Sequence, residues 1–72
     1  LLFYRELPQD VKNILQNMYY QLGNGLFKFV KTMHYIENHK FRAAGIEMLD
    51  SLWAKQTPNR AKELSEAMRN CE

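Results

Sequence analysis

The sequence predicts an all-α domain, a small bundle of four to five helices. Three observations carry this. Apolar residues recur at helical spacing in four separate segments. Gly, Pro and short polar breaks fall between those segments, where helices must start and stop. No run alternates apolar and polar residues as a half-buried strand does.

Seventy-two residues make one domain, spanning 1–72. A chain of this size buries only about 60% of the surface its unfolded form exposes, so its stability is marginal. At 46% hydrophobic and 25% charged, the composition is that of a globular domain rather than a disordered one. No apolar stretch approaches the ~20 residues needed to span a bilayer, and no basic-then-apolar signal opens the chain. The net charge of +2 mildly favours acidic partners and decides nothing alone. Cys71 is the single cysteine, which excludes an intrachain disulfide and a cysteine-rich metal site.

Residues 1–7 (LLFYREL) begin abruptly in apolar residues, as a cut inside a larger protein would, with Phe3 and Tyr4 already packed. Pro8 opens the first helix. Val11, Ile14, Leu15, Met18, Tyr19 and Leu22 form one apolar stripe, and Gly23 stops it, because only Gly takes a left-handed C-terminal position freely. Asn24-Gly25 reads as a tight helix–helix turn, since its flanks have helical rather than strand periodicity. Residues 26–37 form the second helix, with Leu26, Phe29, Val30 and Met33 inward and Phe27, Lys28, Lys31 and His34 exposed. Asn38-His39-Lys40 is a polar break.

A third helix begins at Phe41 and carries Phe41, Ala44, Gly45, Met48, Leu49 and Leu52 on its inner face. Ala44 and Gly45 are small enough to admit a close neighbour. Residues 49–61 (LDSLWAKQTPNRA) are the densest part of the chain. Asp50-Ser51 caps a short turn over residues 52–55. Thr57 caps, and Pro58 begins, a last helix running to residue 70, with Ala61, Leu64, Ser65 and Met68 inward. Trp53, the only Trp, is held against the corner between these helices. Burying it contributes on the order of 2–3 kcal/mol, a large share of a marginal stability. A ring with its body buried and its N–H at a binding surface serves both purposes.

Several segments carry a resemblance. Residues 17–23 (NMYYQLG) resemble the NMxFxxG segment of phage-type lysozymes, the T-even phage group of glycoside hydrolase family 24. Residues 47–54 (EMLDSLWA) resemble the stretch leading to that family's S-R-W element, and residues 56–62 (QTPNRAK) match its QTPNRAK segment. Tyr4 and Leu7 match a Y-x-x-L before the first helix. The resemblance covers almost the whole chain and shortens by one residue at Asn24-Gly25.

The resemblance implies half of a two-lobed enzyme: the C-terminal helical lobe, one wall of the groove that holds peptidoglycan. The catalytic glutamate, aspartate and threonine are expected on an N-terminal lobe with no counterpart here, and no cofactor is implied. By position, Tyr20 stands where the family has an aromatic at the cleft. Thr32 and Glu47 stand at ligand-contact positions, and Gln21, Trp53 and Arg60 at groove or near-groove positions. Leu52 replaces the arginine usual before this Trp. Glu47 replaces an amide, exchanging a donor–acceptor for an acceptor. Both departures bear on muropeptide binding. The implied setting is a phage product acting on the host cell wall, from the host cytoplasm, the periplasm or the virion.

The residues themselves offer little catalytic chemistry. Glu47 and Asp50 are three apart on one helix, but an acid that must hold its proton needs burial or close repulsion, and a solvated face supplies neither. His34 and His39 are five apart, off the four-residue spacing of a helical metal pair, so no metal site is expected. Tyr20 lies off the apolar stripe, which favours a surface role. Arg60, unfavourably placed in a first helical turn, points to a ligand, an acidic partner or an ion pair with Asp50. Two other readings stand beside the lysozyme lobe. Residues 41–52 and 58–70 could form a helix-turn-helix for nucleic acid, against which Glu63 and Glu66 interrupt any basic stripe, so no nucleic acid is expected. A non-catalytic interaction domain of a phage assembly is the other, with the apolar surface around Phe3 and Tyr4 free for the missing lobe or for homo-oligomerisation.

Overall fold

A computed structural model describes residues 3–72, so Leu1 and Leu2 of the apolar opening lie outside the described residues. The fold is all-α. A 3-10 turn, Tyr4–Glu6, leads into α1 (Gln9–Leu22), a second 3-10 segment (Gly23–Lys28), α2 (Val30–Glu37), α3 (Phe41–Met48), α4 (Leu52–Gln56) and α5 (Pro58–Arg69).

Val11, Ile14, Leu15 and Met18 of the α1 stripe are buried. Pro8 stands one residue before the helix rather than in its first turn, and its carbonyl accepts the Lys12 N–H at 3.0 Å. The stripe does not extend through Tyr19, which is half exposed and sets its ring 6.3 Å from Phe27. Gly23 ends the helix at φ 56° and ψ −134°, a conformation essentially reserved for glycine.

The expected second helix over residues 26–37 is in two pieces. A 3-10 segment buries Leu26, the chain bends at Phe29, and α2 starts afresh at Val30. The bend resets the helical phase. Val30, expected inward, is therefore 70% exposed, while Thr32, Met33 and Ile36 face the core. The polar break after α2 is a Schellman turn: the Lys40 N–H bonds to the Tyr35 carbonyl at 2.8 Å and the His39 N–H to Ile36 at 3.0 Å, with His39 left-handed at φ 58°.

α3 packs against both α2 and α5. Its small residues face α5 so closely that a Cβ on Gly45 would meet the Ser65 carbonyl oxygen at 2.7 Å and the Arg69 side chain at 2.6 Å. The last four carbonyls of a helix have no partner within it. Here each finds one: Ser65 Oγ donates to Gly45 at 2.7 Å, Leu49 N–H to Ile46 at 3.2 Å, Asp50 N–H to Glu47 at 3.0 Å, and Ser51 Oγ to Met48 at 2.8 Å. At the other end, the Glu72 carboxylate accepts the Arg42 N–H in the first turn of α3.

Because α3 ends at Met48, the inward face expected to continue through Leu49 and Leu52 stops there. Both are exposed, Leu52 at 68%. Ser51 starts a new helix instead, its Oγ accepting the Ala54 N–H at 3.2 Å, as the cap over 52–55 required. Thr57 departs from expectation: its hydroxyl caps nothing ahead of it and donates back to the Trp53 carbonyl at 3.0 Å. α5 buries Ala61, Leu64, Ser65 and Met68, the predicted inner face.

Gly45→Ala must push backbone away from backbone, and its expected cost is about 2 kcal/mol in urea denaturation. Ser65→Ala leaves the buried Gly45 carbonyl without a partner and is expected to cost about 1–3 kcal/mol in the same measurement.

Candidate functional site

The corner around α4 is fixed from both ends by the Ser51 and Thr57 hydroxyls. Between them Trp53 is driven inward, with 7% of its surface left exposed. Its indole Nε1–H donates to Gln21 Oε1 at 3.3 Å, and its ring meets Phe29 edge-on at a centroid distance of 6.0 Å. Gln21 is itself held by its amide, which donates to Asn17 Oδ1 at 2.9 Å. The polar edge of Trp53 thus ties α4 to the end of α1.

Beside this ring lies an open hollow of about 530 Å³, within the size range of small-ligand sites. One side comes from residues 22–32, including Lys28, Phe29, Val30, Lys31 and Thr32. The other comes from residues 47–56, including Glu47, Asp50, Leu52, Trp53 and Gln56. The floor is aromatic and the rim is charged.

Of the residues singled out by the sequence, Thr32, Glu47 and Trp53 come together in this hollow. Thr32 is 2% exposed, so only a small part of it reaches the surface. Gln21 stands behind, bonded to the Trp53 indole. Tyr20 and Arg60 are not among the lining residues. Tyr20 is 92% exposed near the C-terminal end of α1, and Arg60 is exposed in the first turn of α5. Lys28 and Lys31, read from the sequence as solvent-facing, line the hollow because the 3-10 segment and the bend at Phe29 turn them towards it. Their exposure gave no sign of this; a loop between two helices facing the Trp corner was the available signal.

Glu47 and Asp50 share the rim, Glu47 half-buried and Asp50 exposed. Neither has the enclosure that holds a proton on a general acid. Among the described residues no group of three His, Cys, Asp or Glu is placed to hold a metal ion, and no helix is long and apolar enough to cross a membrane. The helix-turn-helix reading does not match the geometry. The connection from α3 to α5 contains a helix of its own, α4, where that motif has a turn of three or four residues.

Two smaller hollows lie elsewhere. One, of about 250 Å³, is apolar and framed by Tyr4, Leu15, Tyr19, Leu26 and Phe27. The other sits between α1 and α5 beside Asp10 and Cys71. The Cys71 thiol donates to the Ala67 carbonyl at 3.2 Å. Burial, and secondarily the Asp10 carboxylate, push its pKa above the ordinary thiol value.

Two proteins of Dictyostelium discoideum match the chain over 62 residues, 85% of its length. They are named Probable T4-type lysozyme 2, at 37% identity, and Probable T4-type lysozyme 1, at 36%. The chain spans 36% of the length of each relative. No family model and no solved structure matches it. The chain is related to T4-type lysozymes.

Gln21→Ala removes the acceptor of the Trp53 indole; the expected result is a changed Trp emission and near-UV spectrum with a stability loss of about 1 kcal/mol. The raised pKa of Cys71 leaves less thiolate, so alkylation by iodoacetamide in mildly alkaline buffer should run slower in the folded than in the urea-unfolded chain. Asp10→Asn should speed the folded-state reaction; an unchanged rate would mean that burial alone protects the thiol.

Proposed function

We propose that this chain is the peptidoglycan-binding helical lobe of a T4-type lysozyme, with hydrolysis carried by catalytic residues on a separate lobe. The observation that carries this reading is the hollow over Trp53. It gathers Thr32, Glu47 and Trp53, three positions that the lysozyme resemblance assigns to the groove wall, in a chain related to T4-type lysozymes. The chemistry suits a glycan: an indole with its body packed and its edge hydrogen-bonded gives the hollow a fixed border, and the rim supplies acceptors and donors.

The parent enzyme would be a muramidase, hydrolysing the β-1,4 link between N-acetylmuramic acid and N-acetylglucosamine. That reaction needs an acid and a second carboxylate across the scissile bond at a defined separation. Glu47 and Asp50 sit together on one rim of the hollow, so their role here is contact with ligand rather than catalysis. The apolar hollow framed by Tyr4, Tyr19 and Phe27 is a second candidate surface, on which the catalytic lobe would rest.

The 72-residue chain should co-sediment with purified peptidoglycan sacculi and be displaced by soluble muropeptides, with a change in Trp53 emission. Retention in the supernatant would overturn the reading. The same chain should release no reducing ends from cell walls. Measurable turnover would show that carboxylates within it are catalytic.

A further inference from the structure

The start of α3 is a poor place for positive charge, because a helix presents the positive end of its dipole there. Yet His39, Lys40 and Arg42 cluster across it, and its first turn holds no acidic residue. Lys40, just before the helix, makes no side-chain cap. From α5, Arg69 lies against Gly45, about one turn further along α3. Its Nε is buried without a hydrogen-bond partner among the described residues. The carboxylate that answers this charge comes from a distance of 30 residues: Glu72, past the end of α5, accepts the Arg42 N–H. The other titratable groups on the segments that meet here are Tyr35 and Glu37 of α2, and Cys71 with Asp10 of α1 beside it. The far end of α3 is held by different chemistry. Ser65 Oγ donates to the Gly45 carbonyl at 2.7 Å and Ser51 Oγ to the Met48 carbonyl at 2.8 Å. A serine hydroxyl is the same donor at acid and at neutral pH.

We propose that Glu72 is an acid-operated latch between the tail of α5 and the first turn of α3. At neutral pH its carboxylate holds the two together. On acidification it takes up a proton from solvent, and the charge-assisted bond to the Arg42 amide becomes a weaker neutral one. The cations at the start of α3 lose their counter-charge in the same step. The stabilisation is therefore present while Glu72 is ionised and is lost as the pH falls through its titration. His39 acts in the same direction, since a histidine gains positive charge as the pH falls below neutral, here beside the helix end least suited to hold it. The serine-held end of α3 has no such switch, so the corner around Trp53 stays closed while the opposite corner loosens. The latch is independent of what the hollow over Trp53 binds.

The Arg42 amide is the direct reporter. Its solvent exchange is followed by NMR in the 72-residue chain and expressed as protection relative to an unstructured amide. The range runs from about pH 7.5 to about pH 4, which spans histidine and most of carboxylate titration. In the parent, protection should fall about threefold to tenfold over this range. E72Q keeps the shape and an acceptor but not the charge; it should start near the acid value and lose most of the response. H39N removes the histidine titration with a residue that also tolerates the left-handed backbone at position 39, and should retain the carboxylate part. The double variant should be flat. Trp53 emission and the protection of core amides in α1 and α5 should stay constant throughout in all four proteins. Unchanged Arg42 protection in the parent, or a parent-like acid response in E72Q, would overturn the latch. Loss of protection in every helix together would mark global acid unfolding and would equally overturn a switch confined to this corner.

Discussion

The close approach of α3 to α5 at Gly45 is the constraint on which the rest of the domain depends. The contact is backbone against backbone, with no room for even a methyl group. It lets the Ser65 hydroxyl reach a carbonyl that the end of α3 leaves unpaired. Glu72, beyond the end of α5, answers an amide at the other end of α3. The two helices therefore share their polar bookkeeping as well as their apolar faces. In so small a domain this matters, because each buried carbonyl left alone costs a sizeable part of the total stability. With α3 stopped at Met48, the chain must restart at Ser51, and that restart turns Trp53 into the core.

Much of this was legible in the sequence. The stripes of α1 and α5, the stop at Gly23, the cap at Ser51 and the small residues of α3 each have a local chemical signature. The misreadings of Val30, Leu49 and Leu52 share one cause. Helical periodicity predicts which residues share a face only while the helix is unbroken. The bend at Phe29 and the restart at Ser51 each shift the phase, after which the count from the previous helix fails. Ser51 carried its own warning, since a residue that caps a new helix must interrupt the old one. Phe29 carried none. Its bend follows from burying Leu26 and setting the Phe29 ring against Trp53, which is tertiary packing overriding a local pattern. Thr57 shows the same limit on a smaller scale, since a hydroxyl between two helices has a carbonyl behind it and amides ahead, and the sequence does not rank them.

The site followed the same rule. Thr32, Glu47 and Trp53 lie on three different helices, so no spacing pattern could join them; family resemblance placed them on one wall, and α3 packing against α2 sets their elements side by side. Tyr20 and Arg60 carry as good a resemblance but stand outside the hollow. Lys28 and Lys31 were the reverse case. As single charges near a loop they read as solvated, and only the 3-10 segment makes them part of a rim. Charged residues on short connections are where sequence reading is weakest, because one change of turn type redirects them wholesale.

Trp53 joins these threads. A domain of this size has too little interior to keep its core apart from its surface hollow, so one ring borders both. Its ring meets Phe29 edge-on, its N–H is tied to Gln21, and the open hollow lies beside it. The arrangement has a consequence for how ligand and stability are linked. The indole ties α4 to the end of α1, so a molecule that bound against it in the folded chain alone would stabilise the fold as well. The charged rim is free of this coupling. Lys28, Lys31 and Asp50 are exposed and Glu47 only half-buried, so the rim can change its charges without disturbing the core.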